Sequence, residues 1–475
     1  MERQLYSEYQ NCLLPRTGKT GSQTKPWFAL LAWPNGKPCT LVNYWLTDLA
    51  TRTTGKTVKQ YCVLITPYVR YCYDKEISLV DFNDEHIADL VSKLAIEKQK
   101  NGSQKKQNDY VNSIVSSIID FLSWLQLHGN PTNHSNLVGF KSNSPNISVI
   151  EKKNNYGRTY LHHESFLESN APLHKKDAMP RKSIQAIEDQ TFLESDPELY
   201  PSIYKHRYNN SGKKTLIQQE YLYQRRVMIM WAFKRVGLRP SELVEMPLDD
   251  NMNVVNSLIL YIPTKKLRTD SVVLRPFKIT NDGALTVKYY LDARENFIAE
   301  YGEITKTTIS STAFFLTETG LPLSTDSMSK DFGRVAKRAG LTDVRVCFSM
   351  FRHRFITLEI LQHLKKLFGS NRPTMDMLTV PVVKSIENRI RKKTGHKLGD
   401  SIWHYFDDVF EAIDFWKSVD RAFANMQQIG DAEDKLQRLK YDQRKTYGNQ
   451  ALSSKELTDI EKDMAAIRAK MNIFD

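Results

Sequence analysis

Four residues in this chain are of types that together could do chemistry: Arg239, Arg352, His396 and Tyr405. Arg239 lies in Gly237-Leu238-Arg239-Pro240-Ser241-Glu242-Leu243 and Arg352 in Phe351-Arg352-His353-Arg354. The last two lie in Gly395-His396-Lys397-Leu398-Gly399-Asp400-Ser401-Ile402-Trp403-His404-Tyr405. Two arginines, a histidine and a late tyrosine, in that order, describe a site built to attack a phosphodiester. Breaking that bond without water or metal needs a side-chain nucleophile, charge neutralisation on the phosphate, and an acid for the leaving 5′-oxygen. A phenol has a pKa of about 10 and needs a base, but the phosphotyrosine it forms conserves the bond energy for re-ligation. A guanidinium binds phosphoryl oxygens through a planar fork and never loses its charge, and such stabilisation is commonly the largest catalytic term.

A basic turn stands between the two arginine runs. Asn256-Ser257-Leu258-Ile259-Leu260-Tyr261-Ile262 reads as a strand and Ser271-Val272-Val273-Leu274-Arg275-Pro276 as its return, with Lys265, Lys266 and Arg268 crowding the turn. Each fragment has a plainer reading when taken alone. Arg239 and Glu242 at i,i+3 fit a helix-start ion pair, a lone histidine is more often a satisfied core residue, and the turn cations could simply steer phosphate.

The elements that must position these residues follow from hydrophobic periodicity. Helical spacing covers Val58–Cys72, 83–99 (capped at Asn83 or Asp84), 109–127, 183–194, 214–236, 282–302, 325–339, 349–368, 379–394 and 409–428. Trp27–Leu31, the turn Pro34–Pro38 and Thr40–Val42 read as a hairpin. Residues 129–178, rich in Asn, Ser, His and Lys, read as an extended interdomain segment. Ser453-Ser454-Lys455-Glu456 has the form of a capping box ahead of Leu457, Ile460, Met464, Ile467 and Met471, which predicts a helical hairpin or short coiled-coil arm. The expected organisation is an N-terminal arm (1–42), a small all-helical domain (43–130), a linker (131–179), a mixed helical domain with a small antiparallel sheet (180–428) and a C-terminal helical arm (429–475).

Composition narrows the class. At 475 residues and 41% hydrophobic, the chain can bury more than one core. Neither a long apolar run nor a signal-type N-terminus is present, so the expectation is a cytoplasmic protein without a membrane partner. Five cysteines, Cys12, Cys39, Cys62, Cys72 and Cys347, form no C-x-x-C pair and predict neither disulfides nor structural zinc, with Cys62 and Cys72 read as core. No metal-ligand spacing or phosphate-binding glycine loop appears, so no cofactor is expected. Lysine and arginine exceed the acids by 67 to 54, a net +13 that points to a polyanionic partner. Lys100, Lys105 and Lys106, in the polar loop after the second helix of the small domain, are candidates to meet such a partner, as is Arg268.

Taken jointly, the runs resemble the tyrosine recombinase (phage integrase) family over about 43–425. That resemblance implies a mainly α (α+β) fold, with an all-helical, SAM-like core-binding domain followed by the catalytic domain. It implies Tyr405 as nucleophile, Arg239, Arg352 and His396 as phosphate-holding residues, and Glu242 as a buttressing acid. The hairpin lysine of the family, the general acid, is assigned to Lys266 by register, with Lys265 next. Ser349 departs from the family pattern, which usually has histidine three residues before the second arginine. Serine cannot shuttle a proton near neutral pH, though it can hydrogen-bond a phosphate oxygen. His353 and His404 read as structural. The partners implied are double-stranded DNA with specific sites, a homotetramer assembled on it, and accessory DNA-bending or directionality proteins. When bound, the protein would associate with the nucleoid.

Overall fold

Two ten-residue strands open the chain, β1 (Tyr6–Pro15) and β2 (Ser22–Leu31), paired antiparallel from Tyr6↔Leu31 to Pro15↔Ser22. The ladder skips Asn11, whose φ is +53°, opposite Pro26, which has no N–H to offer. The computed structural model describes residues 4–15, 22–53, 55–99, 102, 104–129, 136–153, 159–169, 178–196, 213–264, 273–309, 311–342, 346–369, 377–395, 438 and 462. The chain divides into two compact units, Met1–Leu173 and His174–Asp475.

In the first unit the hairpin differs from the expected one. Trp27–Leu31 is a strand, but its partner is β1, because a turn closed by Trp33 N–H on the Lys37 carbonyl (2.8 Å) leads straight into a helix at Thr40. Four helices follow: α1 (Thr40–Arg52), α2 (Gly55–Asp74), α3 (Asp84–Ile96) and α4 (Asn108–His128). Asn83 caps α3: its side chain accepts from His86 N–H at 3.1 Å while His86 Nδ1 takes the Asn83 N–H at 3.3 Å. Trp45, Tyr68, Phe82, Ile114 and Phe121 bury together in this unit. Cys39, Cys62 and Cys72 lie among them, each thiol pushed up to about 12 by burial.

The segment expected as an extended linker is folded wherever it is described. β3 (Val138–Gly139) pairs parallel with β4 (Ile147–Ser148), and β5 (Ile150–Lys153) pairs antiparallel with β6 (Thr159–His162). Side-chain amides and a carboxylate tie it down in place of periodic apolar residues. Asp84 Oδ1 accepts Ser148 N–H at 2.8 Å and sits 3.0 Å from His163 Nε2, and Asn112 exchanges two hydrogen bonds with the Leu167 backbone at 2.8 and 2.9 Å. Such local polar anchoring leaves no hydrophobic repeat to read.

Among its described residues the second unit is helical around one strand pair. Its elements are α5 (Arg181–Leu193), α6 (Lys213–Val236), the short α7 (Pro240–Val244) and α8 (Val254–Ser257), β7 (Ile259–Thr264), β8 (Val273–Lys278), α9 (Asn281–Thr305), α10 (Thr325–Arg338), α11 (Phe348–Phe368) and α12 (Val380–Thr394). β7 and β8 are antiparallel, Ile259↔Lys278 through Thr264↔Val273. The first strand begins later than expected, because Val254–Ser257 complete a helical turn that ends with Leu258 at φ +52°. Met228, Trp231 and Phe233 of α6 share a core with Tyr290 and Phe297 of α9 and Phe351 of α11, and a second cluster joins Ile356 and Ile360 of α11 to Ile386 and Ile390 of α12. Arg226 bridges Glu194 (2.9 Å) and Asp331 (2.7 Å), and Arg338 also holds Glu194 (2.6 Å), linking α5, α6 and α10. Arg438 donates to Asp282 Oδ1 at 2.9 Å and to Thr286 Oγ1 at 3.0 Å on α9. The expected helix 409–428 lies outside the described residues, as does the predicted C-terminal arm apart from Arg438 and Lys462. Among the described residues no helix is long and apolar enough to cross a membrane.

Candidate active site

Three backbone segments of the second unit meet at one buried carboxylate, that of Glu242. Arg239 is the N-cap of α7 in extended conformation, Pro240 supplies the fixed φ of the first helical position, and Glu242 is the third helical residue. The Glu242 carboxylate turns back to accept the Arg239 backbone N–H at 3.0 Å and its guanidinium at 2.7 Å. The helix-start ion pair is therefore present, and it is also part of a larger cluster. From β8, Arg275 donates to the same carboxylate at 3.1 Å. From α11, Arg352 lies 3.8 Å from it.

Both buried arginines also reach the end of α12. Arg275 Nε donates to the Lys393 carbonyl at 3.1 Å, and Arg352 donates to the Thr394 carbonyl at 2.8 Å and to the Gly237 carbonyl at 2.7 Å. Cationic donors on the last carbonyls of a helix satisfy groups that have no intrahelical partner and complement its dipole. Gly395 follows in the left-handed region, φ +65°, capping α12. A Cβ there would meet Thr264 Cγ2 at 2.9 Å and an Arg275 terminal nitrogen at 3.1 Å, so only glycine fits without displacement. Gly237, φ +64°, is equally constrained, since a Cβ would fall 2.3 Å from Phe355 Cδ1.

Glu242 has no exposed side-chain surface, and burial alone would raise its pKa. Arg275 and Arg239 more than reverse that, holding the carboxyl below the usual range. Three guanidiniums around one carboxylate leave a surplus of positive charge. Arg239 is the outermost, with 19% of its side chain exposed against 9% for Arg275 and Arg352. An anionic ligand would therefore meet Arg239 first, while the other two are occupied with the protein's own carbonyls and acid.

Arg239, Glu242 and Arg352, singled out in the sequence, are thus brought together. Ser349, one turn before Arg352, sits 2.9 Å from Cys347 Sγ. Lys265, Lys266 and Arg268 fall outside the described residues, between β7 and β8, as do His396 and Tyr405 beyond Gly395 and Lys100 in the first unit. Lys105 and Lys106 are described: both hold Glu97, at 3.0 and 2.6 Å, so part of their charge is spent within the loop. Burial acts to raise the pKa of Glu97, but the two ammonium groups more than offset it and the carboxyl lies below its ordinary value. Arg275 was missed by sequence reading. Its signal is an arginine sharing a strand face with Phe277, a partly buried residue packed on the core, where an exposed cation does not belong. Among the described residues no group of three or more His, Cys, Asp or Glu could hold a metal ion.

Residues 210–360 match the model of the phage integrase family, so the chain carries a domain of that family, the tyrosine recombinases. The match takes in Arg239, Glu242, Arg275 and Arg352 and ends before the Gly395–Tyr405 segment. No curated protein sequence matches the chain. Among solved structures, it is similar to XerH site-specific recombinase bound to palindromic difH substrate, at 12% identity over 80% of this chain and 85% of that one, with a TM-score of 0.43. A lambda integrase tetramer bound to a Holliday junction gives 15% identity over 77% and 76%, TM-score 0.41. The Tn1549 transposon integrase with transposon right end DNA gives 12% over 79% and 97%, TM-score 0.43.

Proposed function

We propose that this protein is a site-specific DNA recombinase that cuts and rejoins duplex DNA through a covalent 3′-phosphotyrosine, in the integration or excision of a mobile element. The observation that carries this reading is that Arg239 and Arg352 meet at one buried glutamate, while Arg352 also holds the Thr394 carbonyl beside the Gly395 cap. It brings the first arginine run, the second arginine run and the start of the Gly395–Tyr405 run to one place. The net charge of +13 fits a polyanionic substrate.

In this reading the scissile phosphate is held by Arg239, His396 and Arg352, the last turning to it from the Gly237 and Thr394 carbonyls that it holds in the free protein. The Tyr405 phenolic oxygen attacks phosphorus, a P–O bond to tyrosine forms, and the bond to the 5′-oxygen breaks. Lys266 gives that oxygen its proton, with Lys265 as the neighbouring candidate, and leaves a free 5′-hydroxyl. The phenolic proton must pass to a base, and Ser349 is not one. A 5′-hydroxyl of the partner duplex then reverses the step. Exchange needs two duplexes and four cleavages, so the working form is a tetramer on DNA, with accessory bending or directionality proteins acting alongside. Ser349 also favours a second reading: a DNA-binding accessory protein of the same fold with impaired catalysis. A topoisomerase-like swivelase would share the chemistry but relax any supercoiled DNA. Incubation with nicked duplexes, from which the cut strand cannot be re-ligated, separates these. The recombinase reading expects a denaturation-resistant adduct that Tyr405→Phe abolishes, the accessory reading expects none, and relaxation of plasmids without paired sites would favour the swivelase.

A further inference from the structure

We infer that Arg275 is a positioning residue for strand cleavage: its guanidinium ties the acid that braces Arg239 to the helix end that leads into His396. The inference rests on the recombinase reading and adds to it a residue that the motifs of the sequence do not mark.

The geometry has three arms. One terminal nitrogen donates to Glu242 Oε2 at 3.1 Å, Nε donates to the Lys393 carbonyl at 3.1 Å, and the other terminal nitrogen reaches Thr264 Oγ1 at 3.4 Å. The first arm fixes the carboxylate whose other oxygen accepts Arg239 at 2.7 Å. The second fixes the last turn of α12, one residue before the Thr394 carbonyl that Arg352 holds at 2.8 Å. The third anchors the fork on the end of β7, where the Thr264 methyl and the Arg275 fork together leave space for a glycine at 395 and for nothing larger. A rotation of the Arg275 fork would therefore shift both Arg239 and the cap from which His396 departs. Arg275 is nearly buried, and each of its nitrogens is directed at a protein group, so it acts through these neighbours.

Lysine keeps the charge but is a point donor that cannot reach three acceptors in a plane. Misplacement of reacting groups by about 1 Å can slow a reaction roughly 10²-fold. The test uses the full chain and nicked duplexes selected from a randomised pool for binding to it. Arg275→Lys and Arg275→Met are expected to form the Tyr405 adduct on the order of 100-fold more slowly at saturating DNA. Their affinity for the duplex should stay within about twofold of wild type, because Arg275 is nearly buried and its nitrogens are directed at protein groups. Replacing the scissile phosphate by a neutral methylphosphonate removes the charge that the arginines offset. The gap between Arg275→Lys and wild type should then narrow, which a general loss of folded protein would not produce. Should Arg275→Met fail to fold, Thr264→Val removes only the third arm and should still slow cleavage at unchanged affinity. Variants that cleave as fast as wild type, or that lose rate only in proportion to lost DNA binding, would overturn the inference. If wild type forms no adduct, the recombinase reading itself fails and this inference with it.

Discussion

Glu242 is the residue on which the described site turns. A buried carboxylate is tolerated only because cations surround it, and taking one partner of such a cluster away strands the others. Glu242→Gln should therefore lower unfolding free energy by about 3–5 kcal/mol in urea titrations, leaving Arg239 and Arg275 without a counter-charge. The pH dependence has a definite sign. The folded-state pKa of Glu242 lies below its ordinary 4.5, so its contribution is complete above that value and is lost as pH falls through the lower, folded pKa. Acid titrations of the wild type should show an unfolding component below pH 4.5 that is missing in Glu242→Gln. At this scale much was legible. Arg239, Glu242 and Arg352 stand in short runs that single them out, and the fold brings the three together. Arg275 was hidden, because a single arginine in a strand says nothing until the pairing that turns it inward is known.

At the scale of elements, the backbone at two glycines shapes the site. Gly237 and Gly395 both occupy the left-handed region and both face a neighbour closer than a Cβ allows. Alanine at either position should cost about 1–3 kcal/mol for the backbone conformation alone, and more at Gly237, where Phe355 must move. Gly333 is the contrast: it lies within α10 with nothing within 4 Å of a Cβ. Gly333→Ala should raise stability by about 0.5–1 kcal/mol, and thermal melts of the three variants should separate accordingly. The long helices were readable because each carries an apolar stripe at helical spacing, as in Ile114, Ile118, Phe121 and Leu125 of α4. The β1–β2 pairing was not, since a strand's partner depends on which segment lies opposite it, and nothing in Trp27–Leu31 names Tyr6–Pro15. α1 was missed for a related reason: Thr40, Leu41 and Val42 favour strand locally, and packing of Trp45 and Leu46 into the core overrides that preference.

At the scale of the whole molecule, the net charge of +13 bears on the proposed DNA partner. If it neutralises 6–10 phosphates, affinity for duplex DNA should fall by roughly 10³–10⁵ between 50 and 200 mM salt. Anisotropy titrations over that range would check this, and a flat salt response would speak against a nucleic-acid partner. Within the first unit, the Lys105 and Lys106 pairs with Glu97 mean that alanine at either lysine should change the salt slope less than loss of an unpaired surface lysine would.

Peptide mapping of the covalent adduct bears most directly on the central claim. Protein trapped on a nicked duplex, digested with protease and nuclease and analysed by tandem mass spectrometry, should carry its residual nucleotide on Tyr405. A nucleotide found instead on Tyr261 or Tyr441, or an adduct that persists in Tyr405→Phe, would contradict the account.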